Sequence, residues 1–153
     1  MKKLFVFVST SVLTLALMLG VAASVYAAKN TFDITKVKVG DKVVGMRVNN
    51  VKRPQVYFKG KATLTGMVSE RGVNNPFAGQ VCMDNLDTAS QAKLPQEKND
   101  TQSFWFCFTN KEANKKKLIH KPDGAPRKAT LTIDDYFFGL READAPDGAK
   151  FIA

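Results

Sequence analysis

The chain has 153 residues and a formal net charge of +9 at pH 7. This length corresponds to one domain with a leader, and it allows a hydrophobic core that needs no metal ion for stability. The chain contains no internal repeat and no low-complexity segment, which argues against a repeat architecture. The positive charge favours anionic partners, although an excess of lysine also serves solubility alone.

Residues 1–27 have the pattern of a secretory signal peptide. Lys2 and Lys3 form a basic start, and 4–23 is apolar and uncharged. The segment 24–27 then has small residues at its last and third-last positions relative to a cleavage site after Ala27. Loss of 27 of the 153 residues leaves a domain of 126, and loss of the two lysines lowers the net charge from +9 to +7. The alternative is an uncleaved membrane anchor, because the apolar run approaches the roughly 20 residues of a spanning helix. We predict a periplasmic or secreted protein.

The first part of the mature chain, 28–153, predicts two strands. Residues 42–51 alternate in hydrophobicity, and Gly45 among them indicates a bulge or a close approach of the backbone. Residues 55–68 form the longest predicted strand, with one apolar and one polar face. Gly60 and Gly66 fall on the apolar face, where glycine allows the strong coiling that bends a sheet into a small barrel.

The rest of the chain predicts further short elements around the same core. Strands are expected at 80–84, 103–109, 128–138 and, as a short edge strand, 149–153. Helices are expected at 89–94, capped by Thr88, and at 111–119, capped by Asn110. This pattern indicates a single mainly-β domain: a small, partly open OB-like β-barrel of five or six strands with one or two short helices.

Cys82 and Cys107 are the two cysteines of the chain. Because an exported protein meets an oxidising compartment, an even count predicts a disulfide between them. The alternative is a pair of buried free thiols, since cysteine packs well as a small apolar residue. A redox role is not indicated, because the chain has no C-x-x-C motif.

Candidates for catalysis or metal binding are few. The single histidine, His120, lies in a lysine-rich turn without the His or Cys partners that zinc and copper sites need. Cys107 lies in an apolar segment, where a thiol is inert. Asp134 and Asp135 are neighbours on a strand, so we expect their carboxylates to point to opposite faces. We predict a protein that is not an enzyme and has no metal site and no cofactor.

The clearest candidate for a binding surface is the polar face of the 55–68 strand. Tyr57, Lys59 and Lys61 share this face, and Trp105 is expected to point outward from a nearby strand. Aromatic rings interleaved with cations suit single-stranded nucleic acid or sugar chains, which need stacking and charge neutralisation. The alternative is that Trp105 packs beneath a loop or helix and that the lysines are only solvated.

A basic cluster is centred on Lys115, Lys116 and Lys117. Its other members are Lys111, Lys121, Arg127 and Lys128. Such a cluster suits contact with anionic lipid head groups, at about 1 kcal/mol for each cation near the surface. It equally suits a solvated face that keeps the protein soluble.

These observations predict an exported, non-catalytic binding or accessory module of the cell envelope. The expected ligand is an envelope polyanion or an anionic lipid surface, and nucleic acid is not expected outside the cytoplasm. The alternative is a protein-interaction module, such as an inhibitor or assembly factor for an envelope protein, that uses the polar loops 69–79 and 85–102.

Overall fold

A computed structural model describes residues 30–119, 124–139 and 146–153. The predicted signal peptide, 1–27, lies outside these residues, as do His120 and Lys121. Within the described ranges, no helix is long and apolar enough to cross a membrane.

The described chain forms ten strands and two helices. The strands are β1 (Thr31–Phe32), β2 (Lys42–Val43), β3 (Met46–Lys52), β4 (Gln55–Lys59), β5 (Ala62–Glu70), β6 (Val81–Asp84), β7 (Gln96–Glu97), β8 (Phe106–Phe108), β9 (Arg127–Phe138) and β10 (Asp147–Phe151). The helices are α1 (Thr88–Gln91) and α2 (Lys111–Leu118).

Five of the strands close into a barrel in the order β5–β6–β8–β10–β9–β5. Neighbours are antiparallel except β8 and β10, which are parallel. With the barrel strands numbered 1 to 5 along the chain, their order is 1-2-3-5-4-1, and α2 joins the third to the fourth. This is the connectivity of the OB fold. The prediction of a mainly-β, OB-like barrel is confirmed, and the barrel is closed rather than partly open.

The predicted long strand is divided into β4 and β5 at Gly60. Both pieces pair with the same edge of β9, since Val56 lies opposite Phe138 and Ala62 opposite Ile133. β5 stays in the barrel. β4 leaves it to pair with β3, so that β2, β3 and β4 extend the sheet beyond the barrel.

Alternation along β5 supplies one wall of the core. Leu64 and Val68 are fully buried, and Gly66 lies between them on the same face. A Cβ atom at Gly66 would lie 2.7 Å from the carbonyl oxygen of Asp84. The glycine is therefore required for the close approach of β5 to the end of β6.

Two local predictions are wrong in detail. The expected bulge at Gly45 is a two-residue hairpin turn between β2 and β3, in which Val44 and Gly45 have φ angles of 45° and 83°. Positive φ at both central positions is typical of a type I′ turn. The cap of α1 is Asp87 rather than Thr88, and its side chain accepts a hydrogen bond of 2.7 Å from the backbone N–H of Ser90.

The last strand is also placed differently from the prediction. β10 lies between β8 and β9 and closes the barrel, so it is not an edge strand. Asn110 helps to hold it, because its side-chain amide donates 2.8 Å to the carbonyl of Phe151 and accepts 2.9 Å from the N–H of the same residue. Asn110 precedes α2, but its side chain makes no cap hydrogen bond.

Candidate functional site

A row of residues crosses the outer surface of the barrel from β4 to β6. The strand register places Tyr57 opposite Phe137, Phe137 opposite Gly148, Gly148 opposite Cys107, and Cys107 opposite Cys82. Long-range pairing thus brings together residues that are far apart in the sequence.

Two aromatic rings form the first part of this row. The rings of Tyr57 and Phe137 are stacked, with centroids 5.6 Å apart and planes at 29°. The Tyr57 hydroxyl donates a hydrogen bond of 2.7 Å to Gln55. Both rings are half-buried, so part of each remains open to solvent.

Gly148 provides the surface on which the Phe137 ring rests. A Cβ atom at this position would lie only 1.9 Å from Cε1 of Phe137. Any larger residue would therefore displace the ring. The absence of a side chain on β10 determines the orientation of an aromatic residue on β9.

The stacked pair lines a cleft of about 320 Å³. Lys59 and Asp135 are exposed at this cleft and contribute one charge of each sign. The complete lining is Asn49, Tyr57, Phe58, Lys59, Thr109, Asp135, Tyr136 and Phe137.

A second cleft, of about 400 Å³, is also lined by Phe137. Phe137 and Thr109 line both clefts, so the two adjoin at these residues, and together we call them the outer groove. The lining of the second cleft is Gln80, Cys107, Phe108, Thr109, Lys111, Glu112, Phe137, Pro146, Asp147 and Gly148. Each volume lies within the range of small-ligand sites, about 300–1,000 Å³.

The charged residues of the second cleft already have intramolecular partners. The Lys111 ammonium donates to the carbonyl of Gly79 and lies 3.5 Å from the Glu112 carboxylate. Asp147 is 1% exposed, and it accepts hydrogen bonds from the Tyr136 hydroxyl and from the N–H of Gly139.

The acidic pair on β9 does not follow the expected alternation. Ile133 and Tyr136 are both in the core, whereas Asp134 is half-buried and Asp135 is exposed. Asp135 has a φ angle of 56°, and the pairing of β9 with β10 shifts register here. The expectation that the two carboxylates point to opposite faces is therefore wrong, because a bulge interrupts the strand.

Trp105 lies away from Tyr57 and forms a separate cluster. Its ring centroid is 5.3 Å from that of Phe77, and the Arg71 guanidinium lies 5.6 Å from the indole centroid. Arg71 also forms an ion pair of 2.9 Å with Asp84. We call these four residues the Trp105 cluster. The tryptophan packs against the loop between β5 and β6, as in the alternative considered from the sequence.

The predicted surface residues are therefore distributed over two places. Tyr57 and Lys59 line the outer groove, Lys61 is exposed but lines neither cleft, and Trp105 belongs to its own cluster. Sequence reasoning missed Phe137. The aromatic end of the 128–138 segment was the available signal, but only the pairing of β4 with β9 connects it to Tyr57.

Several cations of the basic cluster serve intramolecular contacts. Lys115 forms an ion pair of 2.6 Å with Glu70, and this contact raises the pKa of the ammonium. The Arg127 guanidinium donates to the carbonyls of Leu118 and Lys117 at the end of α2. The exposed lysines of this cluster, within the described ranges, are Lys115, Lys116, Lys117 and Lys128.

The predicted disulfide between Cys82 and Cys107 is present, with an S–S distance of 1.97 Å. It joins β6 to β8 on the outer side of the barrel, within the row that contains Gly148. Within the described ranges, no group of three or more His, Cys, Asp or Glu residues is arranged to hold a metal ion.

Comparison of the chain with protein-family models, with curated proteins and with solved structures finds no match.

Proposed function

We propose that this protein is an exported, non-catalytic binding module of the cell envelope and that its ligand lies in the outer groove. The observation that carries the proposal is the stacked pair of Tyr57 and Phe137 at the junction of two adjoining clefts. A groove that is already formed and lined by aromatic and polar groups is typical of a ligand site.

Two further features support the proposal. The barrel has OB connectivity, and OB barrels bind oligonucleotides and oligosaccharides on the face of their second and third strands and the loops beside it. The second cleft lies there, since Gln80, Phe108 and Pro146 line it. Both cysteines are joined in a disulfide, so neither supplies a thiolate nucleophile, and the bond suits an oxidising compartment outside the cytoplasm.

The groove is a better candidate than the basic cluster. Lys111, Lys115 and Arg127 are held by contacts within the protein, so an anionic surface would have to compete for them. The remaining exposed lysines are ordinary surface positions, where a charge usually serves solubility.

Co-sedimentation of the mature domain, 28–153, with insoluble peptidoglycan, an immobilised acidic polysaccharide and anionic vesicles tests the proposal. We expect at least one class to bind, and Tyr57→Ala to weaken that binding by about tenfold, or about 1.4 kcal/mol. Tyr57→Phe is the matched control, because it keeps the ring that stacks on Phe137.

A second pair of variants distinguishes the groove from the basic cluster. Tyr57→Ala changes the groove, whereas Lys116→Ala removes an exposed lysine of α2. If Lys116→Ala abolishes binding and Tyr57→Ala leaves it unchanged, the groove is not the site. Binding to none of the three classes, together with capture of a single protein by a salt-insensitive complex, would favour the protein-interaction alternative.

A further inference from the structure

The charges of the outer groove differ from the charge of the whole chain. The sequence carries a net charge of +9. The described lining residues include two lysines, Lys59 and Lys111, against three acidic residues, Asp135, Glu112 and Asp147. The groove therefore has no positive excess, although the protein as a whole has one.

The contacts of these residues reduce the available charge further. Lys111 is held between Gly79 and Glu112, and Asp147 is buried against Tyr136. The exposed charged residues of the groove are then Lys59 and Asp135 in the first cleft and Glu112 in the second, one cation against two carboxylates. A polyanion would meet a carboxylate there as well as an ammonium, and like charges repel.

The uncharged groups of the groove suit a ligand with many hydroxyls. Asn49, Gln80 and Thr109 bring amide and hydroxyl groups, which both donate and accept hydrogen bonds. The stacked rings present apolar surface beside them, suited to the C–H face of a sugar ring. Aromatic surface next to neutral hydrogen-bonding groups is therefore complementary to a carbohydrate.

We propose that the ligand of the outer groove is an oligosaccharide chain of low net charge. One sugar ring lies on the Tyr57–Phe137 pair, and the chain continues past Phe137 into the second cleft. This inference rests on the proposed function and makes its ligand class more specific: the sequence alone favours an anionic ligand, whereas the groove favours a neutral one.

Isothermal titration of the mature domain, 28–153, with defined hexasaccharides tests the inference. The neutral probes are chitohexaose, cellohexaose and maltohexaose, and the acidic probe is hexagalacturonate. We expect one neutral probe to bind at least about tenfold more tightly than the acidic one, a difference of about 1.4 kcal/mol. Its Kd should change by less than about twofold between about 50 and 500 mM NaCl, because no ion pair with the ligand is screened.

Variants of the groove locate the binding. Tyr57→Ala should weaken the neutral probe by about tenfold or more, and Tyr57→Phe should not. Lys61→Ala should change the affinity by less than about threefold, since this exposed lysine lines neither cleft. Lys116→Ala, on the exposed face of α2, should have no effect.

Three outcomes would overturn the inference. If hexagalacturonate binds more tightly, with an affinity that falls with salt and with Tyr57→Ala, the groove is the site but its ligand is acidic. If none of the hexasaccharides binds, the inference is wrong: the proposed function still stands where Tyr57→Ala abolishes binding to vesicles, and it fails as well where the vesicles do not bind. If binding of every probe is insensitive to Tyr57→Ala, both proposals fail.

Discussion

The outer surface of the barrel carries two aromatic groups with cations, and they are used differently. In the Trp105 cluster the ring is packed against Phe77 and Arg71, and Asp84 pairs with the arginine. In the outer groove Tyr57 and Phe137 stack on each other, and two clefts remain open around them. Similar residue types thus form a closed intramolecular contact in one place and an open groove in the other.

The difference arises from the loops. The segment between β5 and β6 is folded on itself, with hydrogen bonds of 2.8 Å from the N–H of Arg71 to the carbonyl of Gln80 and of 2.9 Å from the N–H of Gly79 to that of Arg71. It carries Phe77 to the indole. Over the Tyr57–Phe137 pair the described residues instead leave space, and Gly148 keeps a side chain out of the row. An aromatic residue marks a binding site only where the protein does not cover the ring itself.

Loss of the disulfide should have the largest effect, because the bond lies next to both regions. Replacing Cys82 and Cys107 together by alanine should lower the free energy of unfolding by about 3–4 kcal/mol through the greater entropy of the unfolded chain. Urea denaturation measures this. Dithiothreitol should produce the same loss in the wild type and none in the variant. A loss below about 1 kcal/mol would contradict the expectation.

Phe77→Ala should expose the indole of the Trp105 cluster. The ring is half-buried against Trp105, so we expect a loss of about 1–2 kcal/mol in unfolding free energy, less than for a fully buried phenylalanine. Emission of the single tryptophan should shift to longer wavelength as the indole becomes hydrated. Phe137→Ala is the matched control and should leave the emission maximum unchanged. Equal shifts in both variants would remove the distinction between the two regions.

Gly148→Ala should fill part of the outer groove. The new methyl group would occupy the position of the Phe137 ring, and displacing this half-buried ring should cost about 1 kcal/mol. In a protein that already carries Phe137→Ala, Gly148→Ala should lower the free energy of unfolding almost no further, because no ring remains to be moved. A double-mutant cycle by chemical denaturation measures the coupling. Additive effects would mean that the ring does not depend on the glycine.

Asp84→Asn should remove the ion pair of the Trp105 cluster without changing the size of the side chain. Arg71 and Asp84 have side chains that are 22% and 27% exposed, so we expect their ion pair to contribute about 0.5–1 kcal/mol. Thermal unfolding at low and at high salt measures the loss, which should shrink as salt screens the pair in the wild type. If the Tm of Asp84→Asn depends on salt as strongly as that of the wild type, another ion pair causes the salt dependence.

Asp33→Asn removes a charge pair outside both regions and should have the smallest effect on stability. Its hydrogen bonds with Lys98 and Thr35 hold the pKa of the carboxyl well below its usual range. Because this pKa is lower in the folded than in the unfolded protein, the ionised carboxylate stabilises the fold at pH values above the unfolded pKa of about 4. This stabilisation is lost as the pH falls below that value. Asp33→Asn should therefore lower the Tm slightly at pH 7, and the difference from the wild type should narrow between pH 5 and pH 2. A constant difference would contradict this origin.

Local features of the fold could be predicted from the sequence because they depend on neighbouring residues. Alternation along 128–138 predicts the strand that is observed as Arg127–Phe138, and the segment 111–119 predicts the helix Lys111–Leu118. The even cysteine count predicts the disulfide, which is present. In each case the signal is a short-range period or a count that does not require knowledge of the register.

Errors occur where a turn or a bulge depends on backbone conformation. Gly45 was expected to lie in a bulge and instead occupies a hairpin turn, and Asp135 interrupts an alternation that its neighbours continue. Sequence patterns show that a glycine or an acidic pair is unusual at such a position. They do not show which of several irregular conformations the surrounding pairing selects.

The sequence by itself determined the strand-rich composition and the faces of individual strands, and it favoured a disulfide over two free thiols. Only the tertiary structure decided that β10 closes the barrel, that Phe137 meets Tyr57 above Gly148, and that Trp105 is covered by its own loop. The physical reason is that period-two patterning specifies which side of a strand is buried, whereas register and loop packing join residues that are distant in the chain. The candidate site depends on those distant pairings, and so it emerged only with the fold.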